Sequence, residues 1–201
     1  MRVTQPLDDL FDNPNNIKLL RHLTLYPSPV ITGRGLAREL GMSHVTCIRF
    51  FDRLTNMGIV DRRRVGKSST YEIASGSVLC EDILKPAFEI ESRLLSSLVA
   101  NMVKGVKREI YSVYLFGSVA RSEDTPSSDV DILILTKSPG AKLKVHRAVE
   151  SSKEAVYQKY RVGVTAMIYD LTEFNRMKKR KDPLINEVLK EGVLIMGKEV
   201  R

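Results

Sequence analysis

The sequence has no tryptophan, two cysteines and three histidines in 201 residues. Cys47 and Cys80 make neither a CxxC pair nor a disulfide framework. His22, His44 and His146 are scattered, which leaves nothing to build a Cys/His zinc site. No stretch approaches the ~18–20 uninterrupted apolar residues of a membrane span. The start, MRVTQPLDDLFDNPNN, carries acids where a signal peptide needs an apolar core, so a cytoplasmic location and no membrane partner are expected. Repeats of 20–50 residues and low-complexity runs are also missing. Apolar residues are frequent and periodic throughout, which excludes an unfolded chain.

What is present in excess is positive charge, 32 Lys+Arg against 24 Asp+Glu, a net +8. An anionic partner is implied: nucleic acid, nucleotide or membrane surface. The excess is not even. Residues 32–70 hold 8 basic and 3 acidic residues, a net +5, whereas 76–201 carry a diffuse +4.

Apolar periodicity predicts a helix from Asn15 to Tyr26, capped by Asn15 or Asn16 and ended at Tyr26-Pro27-Ser28-Pro29. ITGRGLAREL predicts a short helix closed by Gly41. Ser43 predicts the cap of a helix over about 44–57, with Val45, Ile48, Phe51 and Leu54 inward and His44, Thr46, Cys47, Arg49 and Arg53 outward. IVDRRRV and STYEIA then alternate as strands of a basic hairpin around Gly66-Lys67-Ser68. That GKS is not the end of a P-loop, because the earlier glycine such a loop requires is Asp61 here.

Residues LARELGMSHVTCIRFFDRLTNMGIVDRRRVGKSSTYEI closely resemble the winged helix-turn-helix family, over roughly residues 15–75. The resemblance implies a double-stranded DNA partner. Ser43, His44, Thr46 and Arg49, with Arg53 on the same outward face, would meet base edges or nearby phosphates; Arg62, Arg63, Arg64 and Lys67 would meet the backbone. A protein-interaction winged helix with a solvated basic face is the alternative. Residues 76–104 predict a helical connector that Pro86 breaks or restarts, with a wide stripe of Phe88, Leu94, Leu95, Leu98, Val99 and Met102. The stripe suits packing within the chain or a homodimer equally.

The third segment, 105–201, alternates strands and helices: strands over Glu109–Phe116, DVDILILT, 161–169 and 192–197, and helices over Leu143–Tyr160, Leu171–Met177 and Pro183–Glu191. Asp129 and Asp131 stand two apart on a strand, so both carboxylates share one face about 7 Å apart along it. Such a pair suits Mg²⁺, which keeps phosphate oxygens in its shell. Gly117-Ser118, at the end of the preceding strand, offers backbone N–H groups and a hydroxyl to a phosphate.

GSVARSEDTPSSDVDILIL resembles the signature of the DNA polymerase β-like nucleotidyltransferases, closest to the minimal, MNT-type members, over about residues 105–198. The resemblance implies an α+β chain: an N-terminal winged helix, a helical connector, and a nucleotidyltransferase fold with a small mixed sheet flanked by helices. It assigns Gly117 and Ser118 to nucleotide phosphates, Arg121 to phosphate or closure, and Asp129 and Asp131 to catalysis and Mg²⁺, with ATP or another NTP as substrate or ligand. MNT proteins also imply a HEPN-type partner protein and an antitoxin-like role. Two departures stand out. The third carboxylate of active members aligns with Thr165, a poor base, while Asp170 lies on the opposite face of that strand unless it bulges. The glycine that often follows the arginine is Ser122. Loss of a general base costs about 10²–10⁴ in rate, so binding of Mg·NTP is the firmer expectation and turnover the weaker. The competing roles are a nucleotidyl-transferring enzyme, and a DNA-binding regulator or antitoxin that uses the same domain as a sensor or partner module.

Overall fold

The computed structural model describes residues 4–27 and 32–200, and the chain divides into two compact units, 1–92 and 93–201. Ser28, Pro29 and Ile31, part of the predicted helix break and restart, lie outside the described residues. No helix among the described residues is long and apolar enough to cross a membrane.

In the first unit, α1 (Pro6–Phe11) and α2 (Pro14–Leu25) each open on a proline, whose fixed φ suits a first turn. Pro14 occupies the first helical position, so the cap of α2 is Asn13, accepting from the Asn15 N–H at 2.8 Å. The predicted caps Asn15 and Asn16 lie inside the helix, and Asn16 is buried. Helix α3 (Gly33–Glu39) is capped by Thr32, and α4 (His44–Asn56) by Ser43, whose Oγ accepts from the Thr46 N–H at 3.0 Å.

The buried face of α4 is Cys47, Phe51 and Leu54, and Val45 is 67% exposed. The predicted inward set was wrong at its first member, and Cys47 faces in, not out. Nine residues at 100° each place Val45 half a turn away from Leu54; spacings of four and three hold one face, repeated threes do not. Burial pushes the Cys47 thiol up to about 11. Phe51 stacks on Tyr71, ring centroids 3.7 Å apart, which fastens α4 to the hairpin of β1 (Val60–Val65) and β2 (Ser68–Ile73). The strands pair from Val60–Ile73 to Val65–Ser68 across a two-residue loop, in which Gly66 takes φ 60°.

A π-helical segment, Leu79–Leu84, runs into α5 (Lys85–Met102). Pro86 therefore does not break the helix. The wider turn, with Lys85 N–H bonded to Cys80 C=O, delivers the chain to a proline that has no N–H to offer. The apolar stripe of α5 is divided. Phe88 belongs to the core of the first unit, and Leu98, Val99 and Met102 to that of the second. Ile90 and Leu94 are exposed.

The second unit follows a short 3₁₀ turn with β3 (Ile110–Phe116), α6 (Gly117–Ala120), β4 (Val130–Thr136), α7 (Pro139–Tyr160), β5 (Val164–Asp170), α8 (Leu171–Lys179), α9 (Pro183–Glu191) and β6 (Val193–Gly197). The sheet order is β5-β4-β3-β6, with β4 and β5 parallel and the other pairs antiparallel. Both faces are covered, which is why β4 reads as an unbroken apolar run. Ile132 and Ile134 pack with Val145, Val149 and the end of α5. Leu133 and Leu135 pack with Phe174 of α8 and Ile185 and Val188 of α9. Helix α7 begins earlier than predicted because Ser138 caps it, accepting from Ala141 N–H, and Pro139 sits in its first turn.

Candidate functional site

Three chain segments meet at one end of the second sheet. Phe116 pairs with Asp131 across β3 and β4, and Asp131 pairs with Thr165 across β4 and β5. Alternation puts Asp129, Asp131 and Thr165 on the face of Leu133 and Leu135, the side covered by α8 and α9. The loop before β4 holds itself: Thr125 N–H donates to Ser128 Oγ at 2.9 Å, and Ser128 N–H to Thr125 C=O at 2.9 Å.

Each carboxylate lies against a glycine. A Cβ on Gly117 (φ 73°) would come within 2.6 Å of Asp131 Oδ2, and a Cβ on Gly163 would overlap Asp129 Oδ1. Burial first, and then Asp129 and Glu187, hold the Asp131 carboxyl above the usual carboxylate range. An acid that burial and neighbouring carboxylates keep from ionising is a site that favours a cation. Among the described residues, no group of three or more His, Cys, Asp or Glu side chains is gathered to hold a metal ion. The donor set is a pair, which fits a magnesium ion that arrives with phosphate oxygens and water rather than one caged by protein.

Arg121 does not stand free beside Gly117 and Ser118. Its Nε donates to Glu123 at 2.8 Å, and its Nη1 lies 3.4 Å from Glu191 and 3.5 Å from Glu187, both on α9. The hydrogen bond to Glu123 leads the causes that raise its already high pKa. Ser122 takes φ 56°, the left-handed conformation that favours glycine. Asp170 is buried and caps α8, accepting from the N–H groups of Thr172 and Glu173 while Glu173 reaches back to its own N–H. It is committed to the helix start and does not replace Thr165. Gly163 and Glu187 were missed by sequence reasoning. The glycine within RVGV was a usable signal for the first; nothing local marked Glu187.

In the first unit, a cavity of about 460 Å³ lies between α3, α4 and the hairpin, and its lining includes Arg34, His44, Arg62, Lys67, Ser69 and Tyr71. Ser43, His44 and Arg49 are exposed at the start of α4. Ser43 Oγ and Thr46 Oγ1 are 2.7 Å apart, bonded to each other. The basic run of β1 is split by the strand's alternation. Arg62 bonds Ser69 and Asp52 and lies 5.9 Å over the Tyr71 ring, and Arg63 pairs with Glu72 at 2.7 Å. Arg53 turns back to Asp12 at 2.7 Å and Asp9 at 3.8 Å. Arg49, Arg64 and Lys67 form no ion pair among the described residues.

Residues 99–195 match the family model of the nucleotidyltransferase domain. The match spans most of the second unit, including the paired aspartates at the junction of β3, β4 and β5. Similar solved structures include a toxin–antitoxin complex with AMP-PNP, at 15% identity over 52% of this chain and 74% of that one, TM-score 0.36. MepR, a transcription regulator of the Staphylococcus aureus multidrug efflux pump MepA, is similar at 14% identity over 46% and 70%, TM-score 0.37. A nucleotidyltransferase from Sulfolobus solfataricus, so described in its name with reserve, is similar at 24% identity over 52% and 83%, TM-score 0.30. No curated protein matches the chain.

Proposed function

We propose that the protein is a DNA-binding transcriptional regulator whose nucleotidyltransferase-fold domain binds Mg·NTP and transfers nucleotidyl groups slowly or not at all. The observation that carries the nucleotide reading is the pairing of each carboxylate with a glycine, Asp131 with Gly117 and Asp129 with Gly163. Without a Cβ, each glycine lets its carboxylate stand against the backbone at the end of the sheet, where magnesium and its phosphates would meet both acids. Asp129 and Asp131 would hold the magnesium ion, which when bound neutralises phosphate charge. Gly117 and Ser118 would orient the phosphates. Arg121 would reach them after releasing Glu187 and Glu191.

Thr165 supports the regulator over the enzyme. It stands in register with Asp131 on the next strand, and its neutral hydroxyl cannot take a proton from an attacking group as a carboxylate would. For the first unit, the support is the juxtaposition of exposed Ser43, His44 and Arg49 at the start of α4 with unpaired Arg64 and Lys67 on the hairpin. That juxtaposition would suit a winged helix, with a helix N-terminus for base edges and a basic hairpin for phosphates.

Calorimetry with Mg²⁺ and a non-hydrolysable ATP analogue tests the nucleotide reading. Wild type is expected to bind and Asp129→Ala not to. Equal binding by the two overturns it. Operator selection from a random duplex library, with and without Mg·ATP, tests the regulator. A selected sequence that Arg49→Ala loses supports it, and selection of no sequence overturns it.

A further inference from the structure

The second unit has its own concentration of cations, away from the carboxylate pair. Arg176, Lys178, Lys179, Arg180 and Lys181 fall within six consecutive residues at the end of α8. Thr172, Asn175, Arg176, Lys179 and Arg180 recur at helical spacing and line a shallow cavity of about 470 Å³. The flanking acids are engaged elsewhere, Glu173 with Lys142 at 2.6 Å and the Asp170 N–H, and Asp182 with the N–H groups of Leu184 and Ile185. None of the five cations forms an ion pair among the described residues, whereas Lys85, Arg121, Lys142, Lys144, Lys153 and Lys190 all do.

Helix chemistry explains part of this. Cations in a last turn complement the helix dipole. That accounts for Arg176 to Lys179 but not for Arg180 and Lys181, which lie past the helical residues. It also does not require Thr172 and Asn175 to share the face.

We infer that this face of α8 is a second contact for the phosphate backbone of double-stranded DNA, separate from the winged-helix reading of the first unit. From Thr172 to Arg180 the face runs about 12 Å, the length over which one strand of a duplex presents three or four phosphates. Threonine and asparagine supply neutral hydrogen-bond donors at the N-terminal end of the face, ahead of the cations, as backbone contacts use. An anionic membrane fits less well: the apolar side chains of α8 (Leu171, Phe174 and Met177) are packed into the core, leaving no stripe to insert. Single-stranded nucleic acid also fits less well, because the face carries no aromatic ring on which a base would stack. The contact is to charge and spacing, so it adds affinity without sequence preference.

The test uses the full chain and a fluorescent duplex of arbitrary sequence, with affinity read from 50 to 200 mM KCl. Arg176→Gln/Lys179→Gln/Arg180→Gln is expected to lower the salt slope by about 2–3 and to weaken binding tenfold or more at the low-salt end. A control with the same loss of charge, Lys104→Gln/Lys107→Gln/Lys159→Gln, is expected to keep the slope within about 0.5 of wild type. Thermal melts establish that both variants fold. If the α8 variant keeps the wild-type slope, or if the control loses as much, the inference is overturned. It is also overturned if the α8 variant loses binding to phosphatidylserine vesicles but keeps duplex binding. The hairpin variant Arg64→Gln/Lys67→Gln, run in parallel, separates the two surfaces: the fall in its slope from wild type reports the hairpin, and the slope that remains includes α8.

Discussion

The hairpin cleft of the first unit and the sheet end of the second gather opposite charges. The cleft gathers cations and then silences several of them. In and around it Arg62 is held by Asp52, Arg63 by Glu72 and Arg53 by Asp12, which leaves Arg34, Arg49, Arg64 and Lys67 without an ion pair among the described residues. The sheet end gathers acids, Asp129 and Asp131, and Arg121 is surrounded by Glu123, Glu187 and Glu191. On the proposed reading, a duplex would meet the first directly, and a triphosphate would meet the second only with a divalent ion to reverse its sign. Net charge counted along a chain says little about either; the charge left after pairing decides.

The largest expected effect comes from completing the acidic end. Thr165→Asp places a third carboxylate in register with Asp131 and is expected to raise transfer of label from ATP by about 10²–10⁴. No rise would mean that the two-acid end lacks more than a base. Gly163→Ala is expected next, with Mg·ATP affinity falling about 10–100-fold in calorimetry as the new methyl displaces Asp129. Gly140→Ala, where a Cβ meets nothing within 4 Å, is expected to leave affinity unchanged. On the basic side, Arg64→Gln/Lys67→Gln is expected to lower the salt slope of duplex binding by about 2, and Arg63→Gln by much less because Glu72 already holds it. A larger effect from Arg63 would break the distinction between paired and free cations. The smallest effect is on stability: Ser122→Gly is expected to raise it by about 0.5–1 kcal/mol, read as a higher urea midpoint at unchanged slope.

The elements that were legible had strong periodicity or punctuation. The apolar runs of β3 and β4, the Ser43 cap and the Gly66 turn all stand where the pattern put them. The Asp-x-Asp spacing correctly placed both acids at a strand start. Helix α1 was not legible, because six residues are too few to show a period. Val45 and Cys47 were exchanged because a run of three-residue steps drifts around a helix. The ion pairs were the largest loss. Arg121 meets Glu187 and Glu191 only because α9 packs back on the sheet, and Arg53 meets Asp12 only because α1 and α2 are joined there. Such meetings belong to tertiary structure and leave no local trace.

The mixed sheet also sets an order in time. Strands β3 and β4 pair antiparallel through a short connection, so Gly117 and Asp131 can meet early. Asp129 finds Gly163, and Asp131 finds Thr165, only after α7 has crossed over to deliver β5 in parallel. A nascent chain halted between Thr136 and Val164 would hold half a site. It would also leave the edge of β4, with Ile132 to Leu135, open to a neighbouring chain. The completion of the candidate site and the closing of that edge of β4 are one event in the life of the nascent protein.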